Sequence, residues 1–365
     1  MSIKKLKKIK KKKRVVVGMS GGVDSSVTAA LLQKQGYDVI GVTMQLLPKE
    51  SEHESACCNI NSITEAKQVA HYLGIPHYTL NIRDAFKHHV IDYFVNEYVI
   101  GRTPNPCVEC NRYIKFDELW TKAKSLGADY VATGHYCKRT QNTKTGQFYF
   151  KKAKDQRKDQ TYFLYMMNQE SLKHTLFPLG NYEKPEIRQM AEEWGLLTAK
   201  KSESQEICFV TKATYRQFIE ENLEGKPPLP GDIIDMNGNK LGTHKGLHHY
   251  TIGQRKGLQL SHHEPLYVIK IDANNNQLIV GKKGALHNST IEASQFTTVV
   301  PNPSLIGKTF DIKTRYQMVP FRAKVNSLDK NKIQLTATSP QEYITPGQSL
   351  VLYDNEFVIG GGVIQ

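Results

Sequence analysis

An apolar run that breaks into glycine and serine constrains this chain more than any other stretch: Val15-Val16-Val17-Gly18-Met19-Ser20-Gly21-Gly22-Val23-Asp24-Ser25-Ser26. The valines predict a buried strand, the paired glycines a tight turn, and the residues after them a helix. Adjacent glycines let backbone N–H groups approach an anion, and the hydroxyls of Ser20, Ser25 and Ser26 add donors at the helix N-terminus. The turn has neither the Gly-Lys-Ser/Thr ending of a Walker loop nor the Gly-x-Gly-x-x-Gly spacing of dinucleotide binders, so a pyrophosphate cradle describes it better. Asp24 would repel phosphates unless a divalent cation lay between, which points to Mg²⁺. The rival reading, an ordinary strand-to-helix turn, is disfavoured by the density of Ser-Gly-Gly-x-Asp-Ser in this context.

With 365 residues the chain exceeds what one core usually serves, and two or three domains are expected. No apolar run reaches the length of a membrane span and no signal-peptide core is visible, so a soluble, cytoplasmic protein is expected. Six cysteines are too few for a disulfide scaffold. A net charge of +14 favours a polyanionic partner, nucleic acid first. Residues 1–14 are mostly lysine with little to bury and read as a disordered basic tail.

Strand and helix patterns alternate up to about residue 212. Residues 27–33 read as a helix ended by Gly36, residues 37–44 as a strand, and Ser62-x-x-Glu65 as a capping box opening a helix. A strand over 77–82, a helix over 86–98, a second over 116–126 and a strand over 129–133 follow. This order implies a parallel sheet whose ligands lie at the carboxyl ends of its strands. Between them, Arg102 to Asn111 reads as an extended loop held by Pro104 and Pro106, with Cys107 and Cys110 at Cys-x-x-Cys spacing. A lysine-rich, hairpin-like stretch precedes Lys158, and a short helix is expected over 185–194. Past 212, short strands between Gly and Asn turns suggest two smaller, mainly β units at 213–284 and 285–365, the last an antiparallel barrel or sandwich. An Asn-rich turn within 272–281 signals a hairpin.

Cys107, Cys110 and Cys208 are the candidates for thiol chemistry, with Arg102, Arg112 and Lys115 available to favour a thiolate. Half a zinc site is the rival for Cys107-x-x-Cys110, but Cys57-Cys58 lacks the spacing of a second half. Cys57, Cys58 and Cys137 read as inert. His244, His248 and His249 could suggest a metal, yet beside Tyr250 they read as polar surface or RNA contacts, so no metal ligands are assigned.

Residues 20–26 resemble the signature of the PP-loop ATP pyrophosphatases, which cleave ATP between the α and β phosphates and adenylate a substrate oxygen. Further stretches resemble the bacterial and organellar tRNA-specific 2-thiouridylases, the MnmA/TrmU family. These are Thr103-Pro104-Asn105-Pro106, Cys110-Asn111, Ile114-Lys115-Phe116, Thr133-Gly134-His135-Tyr136, Lys158-Asp159-Gln160, residues 202–209 and Tyr250-Thr251-Ile252-Gly253-Gln254-Arg255-Lys256-Gly257. The resemblance implies an adenine nucleotide alpha hydrolase-like, Rossmann-like α/β domain over 15–212, then two smaller, mainly β domains, the last a β-barrel. It implies ATP, with transient Mg²⁺, held by Gly18, Met19, Ser20, Gly21, Gly22, Val23, Asp24 and Ser25, with Met44 and Gly134, and adenylation of the 2-carbonyl oxygen of a wobble uridine. Cys208 would carry a persulfide received from a sulfur-relay protein or cysteine desulfurase, and Cys110 would release the sulfur, ending in a Cys110–Cys208 disulfide. Cys107 stands where some relatives carry Asp. Cys110 takes the partner role because Asn111 and Ile114-Lys115-Phe116 follow it in the family's register. Asn105, Pro106 and Cys107 would face the target base, while His135, Lys158, Asp159, Gln160, Arg315, Tyr316 and Gln348 match tRNA-contacting positions. A monomer is expected.

Two other functions remain open on sequence: a PP-loop ligase acting on a small metabolite, and a non-enzymatic RNA-binding protein with a degenerate loop. The charge separates the first from a tRNA enzyme. Affinity for tRNA should fall linearly in log K against log salt, with a slope set by the phosphates neutralised. A flat salt response in a filter-binding titration favours the metabolite ligase.

Overall fold

The computed structural model describes residues 12–47, 60–202, 207–210, 214–223, 225, 229–299 and 304–365. Most of the lysine tail, Cys57, Cys58 and residues 203–206 lie outside the described residues.

Strand β1 (Arg14–Gly18) leads through α1 (Val23–Lys34) to β2 (Asp38–Gln45), then α2 (Ile60–Leu73) and β3 (His77–Asn81). A helix interrupted by a π-helical turn follows as α3 (Arg83–Phe86), Lys87–Ile91 and α4 (Asp92–Val99). A second is built alike from α5 (Pro106–Glu109), a π-helical Cys110–Glu118 and α6 (Leu119–Ser125), before β4 (Tyr130–Ala132). The hairpin β5 (Lys138–Gln141) and β6 (Phe148–Lys151), α7 (Gln169–His174), β7 (Thr175–Leu176) and α8 (Lys184–Glu193) complete this α/β region.

The parallel sheet has the order β3-β2-β1-β4-β7. Val15, Val16 and Val17 are 0% exposed, as expected of the central strand of a sheet covered on both faces. Their side chains alternate: Val15 and Val17 enter the core with Val27, Leu32 and Ile187, and Val16 enters the opposite one with Val42, Leu119 and Val131. The chain goes from β1 to β2 and β3 on one side and only later to β4 and β7 on the other. β1 therefore borders the switch point where open α/β sheets bind ligands.

Several local expectations change. Arg14, grouped with the tail, begins β1, where its guanidinium binds Asp38 at 2.7 Å and its N–H donates to Asp129 at 2.8 Å. Ser62 and Glu65 lie inside α2 rather than capping it, because Ser62 is buried against Gly21 and Glu65 pairs with Lys201. The Cys-x-x-Cys stretch is helical rather than extended: Pro106 stands at the first helical position, where its missing N–H costs nothing.

Helix α9 (Tyr215–Asn222) precedes a sheet of β8 (Gly231–Ile234), β9 (Lys240–His244), β10 (Tyr267–Asp272) and β11 (Gln277–Gly281), ordered β10-β11-β8-β9. Asn276, at φ 51°, supplies the left-handed residue of the hairpin expected in this region. Six antiparallel strands follow: β12 (Asn288–Thr298), β13 (Thr309–Lys313), β14 (Phe321–Asp329), β15 (Lys332–Gln341), β16 (Ser349–Asp354) and β17 (Phe357–Ile364). Their order β12-β15-β14-β13-β16-β17, with β12 also pairing β17, closes a barrel.

The barrel is fused to the α/β region. Strand β6 pairs with β17, and Val108, Phe150, Tyr162, Val351, Tyr353 and Val358 share one core. Burying each large apolar side chain there contributes about 1.5–3 kcal/mol. A second junction forms at residues 102–104. Thr103 N–H donates to the Pro346 carbonyl at 2.9 Å, Gln348 Nε2 donates to the carbonyls of Thr103 and Pro104 at 2.9 and 3.1 Å, and Arg102 reaches the Ile364 carbonyl at 3.2 Å. Gly347 permits this approach, because a Cβ there would lie 2.8 Å from the Thr103 carbonyl oxygen and its φ is +90°.

Gly347→Ala is therefore expected to lower stability by about 1–3 kcal/mol in urea unfolding. Gly146→Ala, at φ +72° with nothing within 4 Å of the added carbon, is the control, losing only the backbone share of about 1 kcal/mol. Equal losses in the two variants would mean that the junction tolerates the added carbon.

Candidate active site

The turn after β1 is held from within. Met19 N–H donates to the Val42 carbonyl at 2.8 Å, Ser20 N–H to Ser25 Oγ at 3.2 Å, and the hydroxyls of Ser25 and Ser26 to the Gly22 carbonyl at 3.1 and 2.9 Å. Gly21 has φ +70°, and a Cβ there would fall 2.5 Å from the Ser62 carbonyl oxygen, so glycine is required twice over. Gly22 is the N-cap of α1 and offers no side-chain cap. The first N–H groups of α1 thus keep the donor capacity that an anion uses at a helix N-terminus.

Asp24 lies in the first turn of that helix, and its charge is met by the protein's own groups. Lys184 Nζ bonds both carboxylate oxygens at 2.7 Å, and the Tyr136 hydroxyl donates to Oδ1 at 2.7 Å. Lys184 is only 7% exposed, whereas the Asp24 side chain is 30% exposed. A second lysine, Lys201, bonds the Gly21 carbonyl at 3.1 Å and pairs with Glu65. Sequence reasoning missed all three partners. One signal was present: Lys184 opens α8 just before Pro185, and a cation there opposes the helix dipole unless a carboxylate faces it. Gly134 lacks a side chain because a Cβ would lie 2.9–3.0 Å from Asp24 and Ser25, so β4's exit packs directly on the turn.

The thiols occupy the same edge of the sheet. Cys110 is buried in a cluster with Leu46, Phe86, Phe94, Ile114 and Phe209, and Cys208 and Met44 pack against it. Met44 lies two residues beyond Val42, whose carbonyl accepts from the glycine turn after β1, so this cluster adjoins the switch point. Cys107 is exposed. Cys137 is fully buried and burial pushes its thiol well up, so it is inert. Glu109, buried beside the thiols, is also raised by desolvation, with the Arg112 charge opposing.

The remaining expected residues divide by what they touch. His135 is buried, shares a 2.8 Å hydrogen bond with Thr133 Oγ1, and is held well below the usual imidazole range by desolvation, so it is neutral. Asp159 is buried and accepts from Ala153 N–H at 2.8 Å and from the Thr161 hydroxyl; desolvation raises its pKa. Gln160 accepts from Tyr136 N–H at 2.9 Å and Lys158 is half-buried. Arg315 bonds Thr345 at 2.9 Å over the Tyr343 ring, and Tyr316 packs on Phe163 with ring centroids 4.5 Å apart. Asn105 and Pro106 stand where the 102–104 junction turns into α5. His244, read as surface, is fully buried: Gly246 N–H donates to its Nδ1 at 3.1 Å, so Nε2 carries the proton to the Asn276 carbonyl at 3.0 Å. His248 is buried as well, at 2% exposure.

No helix among the described residues is long and apolar enough to cross a membrane. Residues 13–212 match the family described as tRNA methyl transferase HUP domain, 216–282 its PRC-barrel domain, and 288–364 the aminomethyltransferase beta-barrel domain. The tRNA-specific 2-thiouridylase MnmA of Acetivibrio thermocellus is 46% identical over 358 residues, covering 97% of this chain and 99% of the relative. That of Halothermothrix orenii is 47% identical over 355 residues, covering 96% and 99%. A 4-thiouridine synthetase solved with RNA and bound ATP aligns at a TM-score of 0.37 and 17% identity, over 57% of this chain and 50% of that one, too slight a likeness to bear on function. Matches that follow one another along residues 13–364, and relatives this similar over nearly their whole length, mean that the chain belongs to the tRNA-specific 2-thiouridylase family.

Proposed function

We propose that the chain catalyses ATP-dependent 2-thiolation of the wobble uridine of tRNA. The observation that carries this reading is the packing of Cys110 and Cys208, distant in sequence, into one apolar cluster beside the phosphate turn. ATP supplies the adenylate that converts the uridine 2-carbonyl oxygen into a leaving group. Ser20, Ser25 and the backbone N–H groups of residues 21–25 bind its phosphates, and Gly18, Met19, Val23, Met44 and Gly134 border the nucleotide. Each carboxylate oxygen has two lone pairs, so Asp24 Oδ2 can accept from Lys184 and still ligate a Mg²⁺ that enters with the phosphates. Lys184 and Tyr136 orient that carboxylate.

Sulfur then passes between the thiols. A persulfide on Cys208, delivered by a cysteine desulfurase or sulfur-relay protein, attacks C2 through its terminal sulfur as AMP departs. The Cys110 thiolate attacks the inner Cys208 sulfur, the S–S bond of the persulfide breaks, and the transferred sulfur remains on C2. The resulting Cys110–Cys208 disulfide must be reduced by an external thiol before the next turnover. The cluster that Cys110 shares with Cys208 supports Cys110 as the partner thiol, with Cys107 facing the base beside Asn105 and Pro106.

The tRNA is gripped by residues 213–365 together with the first domain. Arg315, Tyr316 and Lys158 reach RNA, whereas His135, Asp159, Gln160 and Gln348 shape the backbone that does so. A cleft of about 480 Å³ between Cys110–Glu118 and the barrel, lined by Asn111, Arg112, Tyr113, Phe163, Gln295 and Asn331, offers aromatic faces and a guanidinium suited to unstacked bases.

Tandem mass spectrometry of tRNA nucleosides, after incubation with ATP, Mg²⁺, free cysteine and a cysteine desulfurase that delivers persulfide sulfur, tests the reading. Cys208→Ser and Cys110→Ser should each eliminate 2-thiouridine while ATP–pyrophosphate exchange persists, and Cys107→Ser should retain some thiolation. A dead Cys107→Ser beside an active Cys110→Ser would exchange the two roles.

Lys184→Ala removes the ammonium that binds both Asp24 oxygens. AMP formation should fall at least about tenfold, equivalent to about 1.4 kcal/mol of barrier. Binding to tRNA, measured alongside, should be unchanged because it rests on distributed basic contacts. Unaltered AMP formation would remove Lys184 from the site.

A further inference from the structure

Helix α9 and the 3-10 turn Leu247–His249 meet side by side. Tyr215 and Arg216 donate to the His249 carbonyl at 3.3 and 3.2 Å, and the next turn of the helix aims Glu220 at both imidazoles. Glu220 Oε1 lies 3.4 Å from His248 Nε2 and 3.2 Å from His249 Nε2, and the three ligand atoms all fall within 4.8 Å of one another. A tetrahedral zinc ion with bonds of about 2.0–2.1 Å separates its ligand atoms by about 3.3–3.4 Å. Two of the three edges, at 3.4 and 3.2 Å, are close to that length.

We propose that Glu220, His248 and His249 form a zinc site with a fourth position open to water. The donor set, two imidazoles and a carboxylate, suits a first-row divalent ion and not Mg²⁺ or Ca²⁺. Adjacent histidines point the same way only because the 3-10 turn holds their rings 4.2 Å apart at an interplanar angle of 47°. His248 is 2% exposed, and among the described residues its Nδ1 has no hydrogen-bond partner. Nε2, not Nδ1, faces the carboxylate, so an ion would take the two Nε2 atoms that already converge on Glu220. The Glu220 side chain, 45% exposed, leaves the ion a path from solvent.

The role of the site would be mechanical. Ile219, fully buried, and Phe218 on the same helix enter the apolar cluster that holds Cys110 and receives Cys208. Zinc bridging α9 to the Leu247–His249 turn would hold the helix that follows the Cys208 segment and so restrain that segment from its carboxyl side. The reaction itself uses no zinc in this arrangement.

The test is isothermal titration of the full chain with Zn²⁺ alone, for the natural sequence, Glu220→Gln and His249→Ala, alongside Co²⁺ absorption spectra. One equivalent should bind to the natural chain and bind at least about tenfold more weakly to either variant. Zinc should raise the melting temperature of the natural chain and leave that of Glu220→Gln unmoved. Bound Co²⁺ should give tetrahedral d–d bands without thiolate charge transfer. Glu220 is exposed and its replacement isosteric, so this variant decides the matter should His249→Ala fail to fold. Identical isotherms in the natural chain and Glu220→Gln, or Co²⁺ spectra dominated by thiolate, would overturn the proposal and leave a hydrogen-bonded cluster.

Discussion

A carboxylate placed in a turn made for anions is the constraint from which much of this structure follows. Asp24 stands among backbone N–H groups that favour negative charge, but next to where phosphates would add more. The protein answers with Lys184 from α8 and Tyr136 from the exit of β4. Elements far apart in sequence are thereby tied at one point, and the tie explains why a lysine can be 7% exposed. The pair is accessible on the Asp24 side, so its strength is sensitive to whatever binds the turn. A wholly buried pair would be rigid and unresponsive.

The thiol pair depends on a different force. Cys110 and the turn carrying Cys208 are brought together by aromatic packing, with Phe209 edge-on to Phe86 and Phe94 at ring-centroid distances of 5.7 and 5.3 Å. Such contacts hold a segment loosely enough to shift without breaking a hydrogen-bond ladder. In the proposed relay, a cysteine that accepts sulfur from one partner and delivers it to another needs that latitude.

The sequence exposed what was local and hid what was tertiary. The strand, the glycine turn and α1 were legible because β-branched residues, paired glycines and apolar periodicity act within a few positions. The barrel's strands were legible for the same reason. The helix from Pro106 was misread as an extended loop because Pro104 and Pro106 carry a loop signal, while the helix-start signal of a first-position proline is weaker. The Ser62-x-x-Glu65 pattern was misread because Glu65 has a stronger partner in Lys201, which no local window contains. That Asp24 needs a cation is legible from its place in the turn, whereas the lysine that meets it lies 160 residues away, outside any local window. Asp159, Gln160 and Gln348 gave no local sign that their hydrogen bonds go to the protein's own backbone.

The single rung between β6 and β17 has a bearing on how this protein can be dissected. Because the hairpin β5–β6 extends the barrel's sheet, the α/β region and the barrel are not beads on a string. The Tyr162 hydroxyl donates across the boundary to the Ser349 carbonyl at 3.0 Å, and Tyr165 lies against Gly361, where a Cβ would be 2.5 Å from its ring. Cutting the chain near residue 212 would strip an open strand edge and several large aromatic faces of their cover. The excised fragment would be sticky, not merely inactive, since exposed edges recruit other chains.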